Sequence, residues 1–118
     1  MVQLCQGRGA EVITITSASK VQAILDLGAT QTIQRGESLL KELSQSSIDV
    51  VIDLVAGEQW PEFLEVLRPK GRYAVAGAIG GPLVELDVRT LYLKDLSFFG
   101  CTVLEPEVFP NLIKRIED

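Results

Sequence analysis

Residues 48–53, IDVVID, form a near-continuous apolar run of strand length, the pattern of a strand covered on both faces. Immediately downstream the period changes. Trp60, Phe63, Leu64 and Leu67 recur at the spacing of one helix face across Glu58–Leu67, and Pro61 is tolerated in the first turn. The same switch recurs along the chain. Glu11–Thr16 alternates β-branched residues, then runs into a helix carrying Val21, Ile24, Leu25 and Leu27, with Ser17 or Ser19 as cap and Gly28 as stop. Gln31–Ile33 reads as a brief strand, and Ser38–Leu43 as a short helix with Leu39, Leu40 and Leu43 inward. RPKG turns the chain into a strand at Arg72–Ala76, and a short turn or helix at Val88–Tyr92 leads to a strand at Leu96–Gly100. A last helix, Pro106–Ile116, is predicted to bury Phe109, Leu112, Ile113 and Ile116.

Strand-to-helix alternation of this kind predicts an α/β fold, a parallel sheet with helices on both faces and right-handed crossovers. The 118 residues suffice for one such domain with a real core, not for two. Ligands of open parallel sheets bind at the carboxyl ends of the strands. Here those ends are Thr16–Lys20, Asp53–Gly57, Ala76–Gly81 and Phe99–Thr102.

Composition removes several function classes. The net charge is −5 and the cations are scattered, so there is no basic face for nucleic acid, although a few local cations suffice for a small anion. Two distant cysteines, Cys5 and Cys101, without any histidine or a CxxC pair, supply no zinc site and no Ser-His or Cys-His couple. No apolar run approaches the roughly 20 residues of a membrane span, and MVQLCQGRGAEV lacks the regions of a signal peptide. The expectation is a soluble, cytoplasmic chain with reduced cysteines.

The ordered segments QLCQGRGAEVI…TSASK, LGATQTIQRGE, DVVIDLVAG, LRPKGRYAVAGAIGG and LYLKDLSFFGCTV resemble, across essentially the whole chain, the cofactor domain of the medium-chain dehydrogenase/reductases. The likeness is greatest to the NADPH-preferring quinone oxidoreductase and zinc-type alcohol dehydrogenase branches. It implies a Rossmann-type sheet, with MVQLCQGRG as the tail of the first helix. The first strand, the glycine-rich pyrophosphate loop and the catalytic domain of the family have no counterpart here, so residues 1–118 are expected to form an incomplete NAD(P)-binding domain. In the 3-2-1-4-5-6 order that strand lies between the strands at Glu11–Thr16 and Ile48–Asp53, and without it their facing edges stay unpaired. Each buried backbone group left unmet costs on the order of 1–3 kcal/mol. The isolated chain is accordingly expected to bind nucleotide poorly and to be inactive.

The resemblance assigns cofactor contacts rather than catalytic or metal-binding residues. Many βα units place an acid at the second strand tip to bond the ribose of NAD, whereas this chain has Ser17, Ser19 and Lys20 there. Ser17 and Lys20 fall where NADPH-using relatives hold the 2′-phosphate, and Arg35, after the next strand, falls near the same end and would help, which favours NADP over NAD. The bland alternative is that Ser17 only caps a helix and Lys20 is solvated. Val55, Ala56 and Gly57 correspond to backbone near the adenosine and nicotinamide ribose, with Asp53 capping its own turn. Gly77, Ala78 and Ile79 correspond to a loop passing the nicotinamide, although GAIGG on its own reads as a plain turn. Phe99, Gly100 and Cys101 would meet the carboxamide end. Cys101 reads better as a small buried filler than as a nucleophile, and Trp60, Phe63 and Phe109 read as core. Leu96 and Phe98 mark a sheet edge of the kind through which the family often forms dimers.

The implied activity of a parent enzyme is NADP(H)-dependent hydride transfer to an enone, quinone or carbonyl. Two rivals stand beside it. One is an S-adenosylmethionine-dependent methyltransferase-like domain, suggested by the rhythm of DVVIDLVAGEQWPEFLEVLRPKGRYAV, although Ser17 stands where that fold usually has a ribose-binding acid. The other is a non-catalytic module that associates through an exposed sheet edge.

Overall fold

The structure is a computed structural model that describes residues 1–117. In chain order its elements are α1 (Val2–Gln6), β1 (Ile13–Thr16), α2 (Val21–Asp26), β2 (Gln31–Gln34), α3 (Leu39–Glu42), β3 (Ile48–Asp53), α4 (Trp60–Val66), β4 (Leu67–Val75), α5 (Val88–Leu93), β5 (Ser97–Gly100) and α6 (Val108–Glu117). Single 3-10 turns, Ala18–Lys20 and Gly57–Gln59, lead into α2 and α4.

Every strand pair is parallel, as the alternation predicts. The strands form two sheets, β1–β2 and β3–β4–β5. The break falls between β1 and β3, where the resemblance places one more strand. Among the described residues the backbone of β1 has only β2 as ladder partner, and β3 only β4. The two sheets nevertheless share one core. Ile33 and Leu39 from the first half are buried with Trp60, Phe63, Leu64, Val66, Leu67, Tyr73 and Leu96 from the second, and Ile13, Ile15, Val51 and Val75 pack against them. The apolar face of α4 is the centre of this cluster, and burying each such side chain contributes about 1.5–3 kcal/mol.

RPKG lies inside β4 rather than ahead of it. Ile48 pairs with Leu67, and the register then jumps so that Val50 pairs with Arg72. The intervening residues bulge out because Pro69 has no amide for the ladder and Lys70 takes a left-handed φ of 66°. Beyond β4, Asp87 caps α5 by accepting the Arg89 amide (3.0 Å) and pairs with the Arg89 guanidinium, which holds its carboxyl below the usual range.

Several burial expectations are corrected. β3 is covered on one face only: Val51 and Asp53 turn toward the core, whereas Val50 and Ile52 are 41% and 43% exposed. Leu25, Leu40 and Leu27, the residue just past α2, are likewise exposed, because α2 and α3 run for fewer than two turns and leave one side open. α6 forms with the expected periodicity, but Phe109, Leu112, Ile113 and Ile116 are all exposed, since no element of the described residues covers them. Its stand-off fits a radius of gyration of 15.0 Å, against about 13.5 Å for a compact chain of this length.

Candidate functional site

The expected site residues fall into two groups. The first is at the carboxyl end of β1–β2. Thr16 pairs with Gln34, and the Arg35 amide donates to the Thr16 carbonyl (3.0 Å), so Ser17 and Arg35 leave the sheet side by side. Ser17 occupies the cap position of the following 3-10 turn, yet its side chain makes no cap bond. It hydrogen-bonds instead to the Ser19 hydroxyl at 3.3 Å, so the capping role expected for Ser17 is not what holds it. Lys20 and Arg35 are exposed, and the ion pairs among the described residues, Arg68–Asp49 and Arg89–Asp87, involve neither. Two hydroxyls and two cations without a carboxylate partner thus stand at one strand end.

The second group is at the ends of β3, β4 and β5. The Asp53 side chain, 3% exposed, accepts the amides of Val55 (2.8 Å) and Ala56 (3.0 Å) at Oδ1. This is the backbone-capping role anticipated for it. Its Oδ2 accepts the Tyr73 hydroxyl at 2.6 Å, and that hydroxyl accepts the Trp60 indole N–H at 2.9 Å. Burial pushes the Tyr73 phenol well above its ordinary range, and the hydrogen bond to Asp53 and its charge push further, opposed by the Trp60 donor. The rings of Trp60, Tyr73 and Phe98 meet edge to face, with centroids 5.4–6.0 Å apart. Reading along the sequence missed this network, although a polar terminus on the apolar strand, Asp53, and a Tyr in the next one are its visible signal.

Gly57 and the glycines of GAIGG prove to be more than a plain turn. The Gly80 amide donates to the Val55 carbonyl (2.8 Å), and the Gly57 amide to the Gly81 carbonyl (3.1 Å). A Cβ on Gly57 would lie 2.7 Å from the Gly80 oxygen, one on Gly77 2.7 Å from the Leu54 oxygen, and one on Gly80 2.8 Å from Val55 Cγ1. Only glycine lets the two loops approach this closely. The joined loops bury Ala56 and leave Ala78 and Ile79 exposed at the rim.

At the next strand end Val75 pairs with Gly100, and the Cys101 amide donates to the Val75 carbonyl (2.9 Å). Phe99 and Gly100 therefore lie opposite Ala74 and Val75, and Cys101 follows at the strand end from which the Gly77 loop departs. Cys101 is exposed rather than a buried filler, because β5 is an edge strand with every residue open. Of the three aromatics expected in the core, Trp60 and Phe63 are there and Phe109 is not.

Zinc does not fit this chain. It has no histidine, and among the described residues no three His, Cys, Asp or Glu side chains cluster. Among the described residues no helix is long and apolar enough to cross a membrane.

The profile of the family described as zinc-binding dehydrogenase matches residues 1–118. The chain is 32% identical over 89 residues to quinone oxidoreductase-like protein 2 of Bos taurus, covering 71% of this chain and 26% of that protein. It is 32% identical over 98 residues to the quinone oxidoreductase of Salmonella typhimurium, covering 78% and 30%. Among solved structures, a candidate alcohol dehydrogenase of Sinorhizobium meliloti 1021 superposes with a TM-score of 0.88 at 42% identity, covering 98% of this chain and 34% of that one. Escherichia coli YhdH with bound NADPH, at 22% identity and a TM-score of 0.80, shows the same fold over 98% of this chain and 37% of its own. The chain thus spans about a quarter to a third of the length of the proteins it matches. These matches set the methyltransferase alternative aside. With its parallel strands, its glycine-joined loops and a family match over its whole length, the chain belongs to the zinc-binding dehydrogenase family of the medium-chain dehydrogenase/reductases.

Proposed function

We propose that this chain is most of the nucleotide-binding domain of an NADP(H)-dependent oxidoreductase acting on an enone, quinone or carbonyl in the cytoplasm. The carrying observation is the Ser17–Ser19 hydroxyl pair beside Lys20 and Arg35, cations without a carboxylate partner at a strand end that also lacks a ribose-binding acid. That donor set suits a phosphate monoester, to which charge-assisted hydrogen bonds are the stronger kind. Ser17, Lys20 and Arg35 would hold the 2′-phosphate. Val55, Ala56 and Gly57 would contact the ribose, and Gly77, Ala78, Ile79, Phe99, Gly100 and Cys101 the nicotinamide end. The cofactor when bound supplies the hydride, and this chain's share is to place and orient it.

Completion of the sheet belongs to the same reading. A parallel strand between β1 and β3 would pair both open edges and bring a glycine loop to the carboxyl end. The open edge of β5, with Phe98 and Phe99 upon it, would pair with its copy in a homodimer. Titrating NADPH and NADH against nicotinamide fluorescence tests the cofactor assignment. Lys20→Ala combined with Arg35→Ala is expected to weaken NADPH about 10-fold or more and to leave NADH within about twofold. Equal loss for both dinucleotides would refute the phosphate assignment.

A further inference from the structure

Building on the dinucleotide reading above, we propose that Tyr73, buried in the core at 3% exposure, is a positioning residue for the loop Leu54–Gly57 assigned there to the cofactor. The loop is held in an uncommon shape: Ala56 has a φ of 54° and Gly57 of 73°, both left-handed. For a residue with a side chain that conformation persists only where its surroundings enforce it. What enforces it is Asp53 Oδ1, which takes the amides of Val55 and Ala56.

A carboxylate held at one oxygen can still swing about its terminal torsion. The second oxygen is therefore decisive, and it is fixed by the Tyr73 hydroxyl at 2.6 Å. The direction of each bond follows from the donor inventory. An indole N–H can only donate and an ionised carboxylate can only accept. With Trp60 Nε1 donating to the phenol, the phenol's single proton must go to Asp53. The order is indole, phenol, carboxylate, then two amides, with no spare donor along the way. It reaches from the first residue of α4, through β4, to the loop after β3. Because the Gly57 amide and the Val55 carbonyl also bond the Gly80–Gly81 segment, displacing Asp53 would disturb both the ribose-contacting loop and the nicotinamide-contacting loop of the proposed site. One buried hydroxyl thus governs backbone groups that the cofactor would meet.

The experiment compares Tyr73→Phe with Val66→Ala, a core truncation in α4 outside the network, both in the protein carrying this chain. The readouts are the NADPH dissociation constant and amide hydrogen exchange at Val55 and Ala56 without cofactor. Tyr73→Phe is expected to weaken NADPH about 10-fold and to speed exchange at those two amides by a similar factor, the size of one hydrogen bond to a charged group. Val66→Ala is expected to lower the melting temperature while leaving both readouts within about twofold, which a merely stabilising role for Tyr73 could not reproduce. If Tyr73→Phe does not fold, Trp60→Phe removes the phenol's donor and is expected to shift both readouts in the same direction by about threefold. Unchanged NADPH affinity and unchanged exchange in the variant would overturn the positioning role alone. Absence of NADPH binding in the unsubstituted protein would overturn the cofactor reading itself and this inference with it.

Discussion

Lys94 offers the most direct test of how the second half of the fold is held. Its ammonium donates to three carbonyls at the end of α4: Leu64 (3.0 Å), Glu65 (3.0 Å) and Leu67 (2.9 Å). Helix-terminal carbonyls have no partner within their own helix, and a cation there also answers the negative end of the helix dipole. The chain supplies other donors nearby, since the Ser46 amide reaches the Glu65 carbonyl and the Ser47 amide that of Val66. Lys94→Met keeps the apolar stem and removes only the ammonium. Glu65 then retains the Ser46 amide, and the side-chain donor is lost at Leu64 and Leu67. Leu67 keeps its place in the β3–β4 ladder opposite Ile48, so the loss falls chiefly on Leu64, and a carbonyl left without a donor costs about 1–3 kcal/mol when buried. Lys94 is only half-buried, so water recovers part of that, and a loss of about 1–2 kcal/mol is expected. Urea unfolding of the protein should show the midpoint falling with the slope unchanged, the mark of a stability effect rather than altered compactness. Lys94→Arg should recover less than half, because a planar fork cannot point three donors at converging carbonyls. A loss below about 0.5 kcal/mol in Lys94→Met would refute the capping argument.

The joined loops make a paired prediction. Gly57→Ala, with φ at 73° and a Cβ 2.7 Å from the Gly80 oxygen, is expected to cost about 2–4 kcal/mol, whereas Gly36→Ala, at φ 92° in open space, should cost only about 1 kcal/mol by urea unfolding. Alkaline pH should expose Tyr73. Its phenol is raised in the folded state, so its contribution is fully present below the unfolded value near 10 and is lost as pH rises beyond it, at up to about 1.4 kcal/mol per pH unit. Tyr73→Phe should flatten that limb of the stability profile.

The elements legible from sequence were those whose signal is local. The apolar run of β3, the stripe Trp60–Phe63–Leu64–Leu67 and the strand ends follow from period and turn chemistry, and each falls where expected. What stayed hidden depends on partners far away in the chain. Asp53 could be read as a turn cap, but Tyr73 lies 20 residues on and enters only through the β3–β4 register. Lys94 looks like any surface lysine until β4 and α5 bring it under α4, about 30 residues back. The bulge at Pro69 is misread as a turn because proline marks both, and only the ladder on either side tells them apart. Exposure was the least legible property. A helix pattern states which face is apolar, as in α6, but not whether anything lies against it.

The break in the sheet has a mechanical consequence. Within β3–β4–β5 a ladder of backbone hydrogen bonds ties strand to strand, and such bonds resist sliding because each must be broken for the register to move. Across the break no ladder runs among the described residues. Ile33 and Leu39 meet Phe63 and its neighbours through interdigitated side chains, pinned only where the Ser38 hydroxyl and the Leu39 amide donate to the Glu62 carboxylate (2.8 and 3.2 Å) and the Gln59 side chain donates to the Glu37 carbonyl (2.5 Å). Contacts of that kind resist separation, since apolar area would be exposed, but they yield more readily to shear. The 2′-phosphate end and the nicotinamide end of the proposed cofactor site stand on opposite sides of that seam. The spacing between them is thus held by a few side-chain bonds rather than by a ladder, and a ligand that spans both ends would act as a further brace.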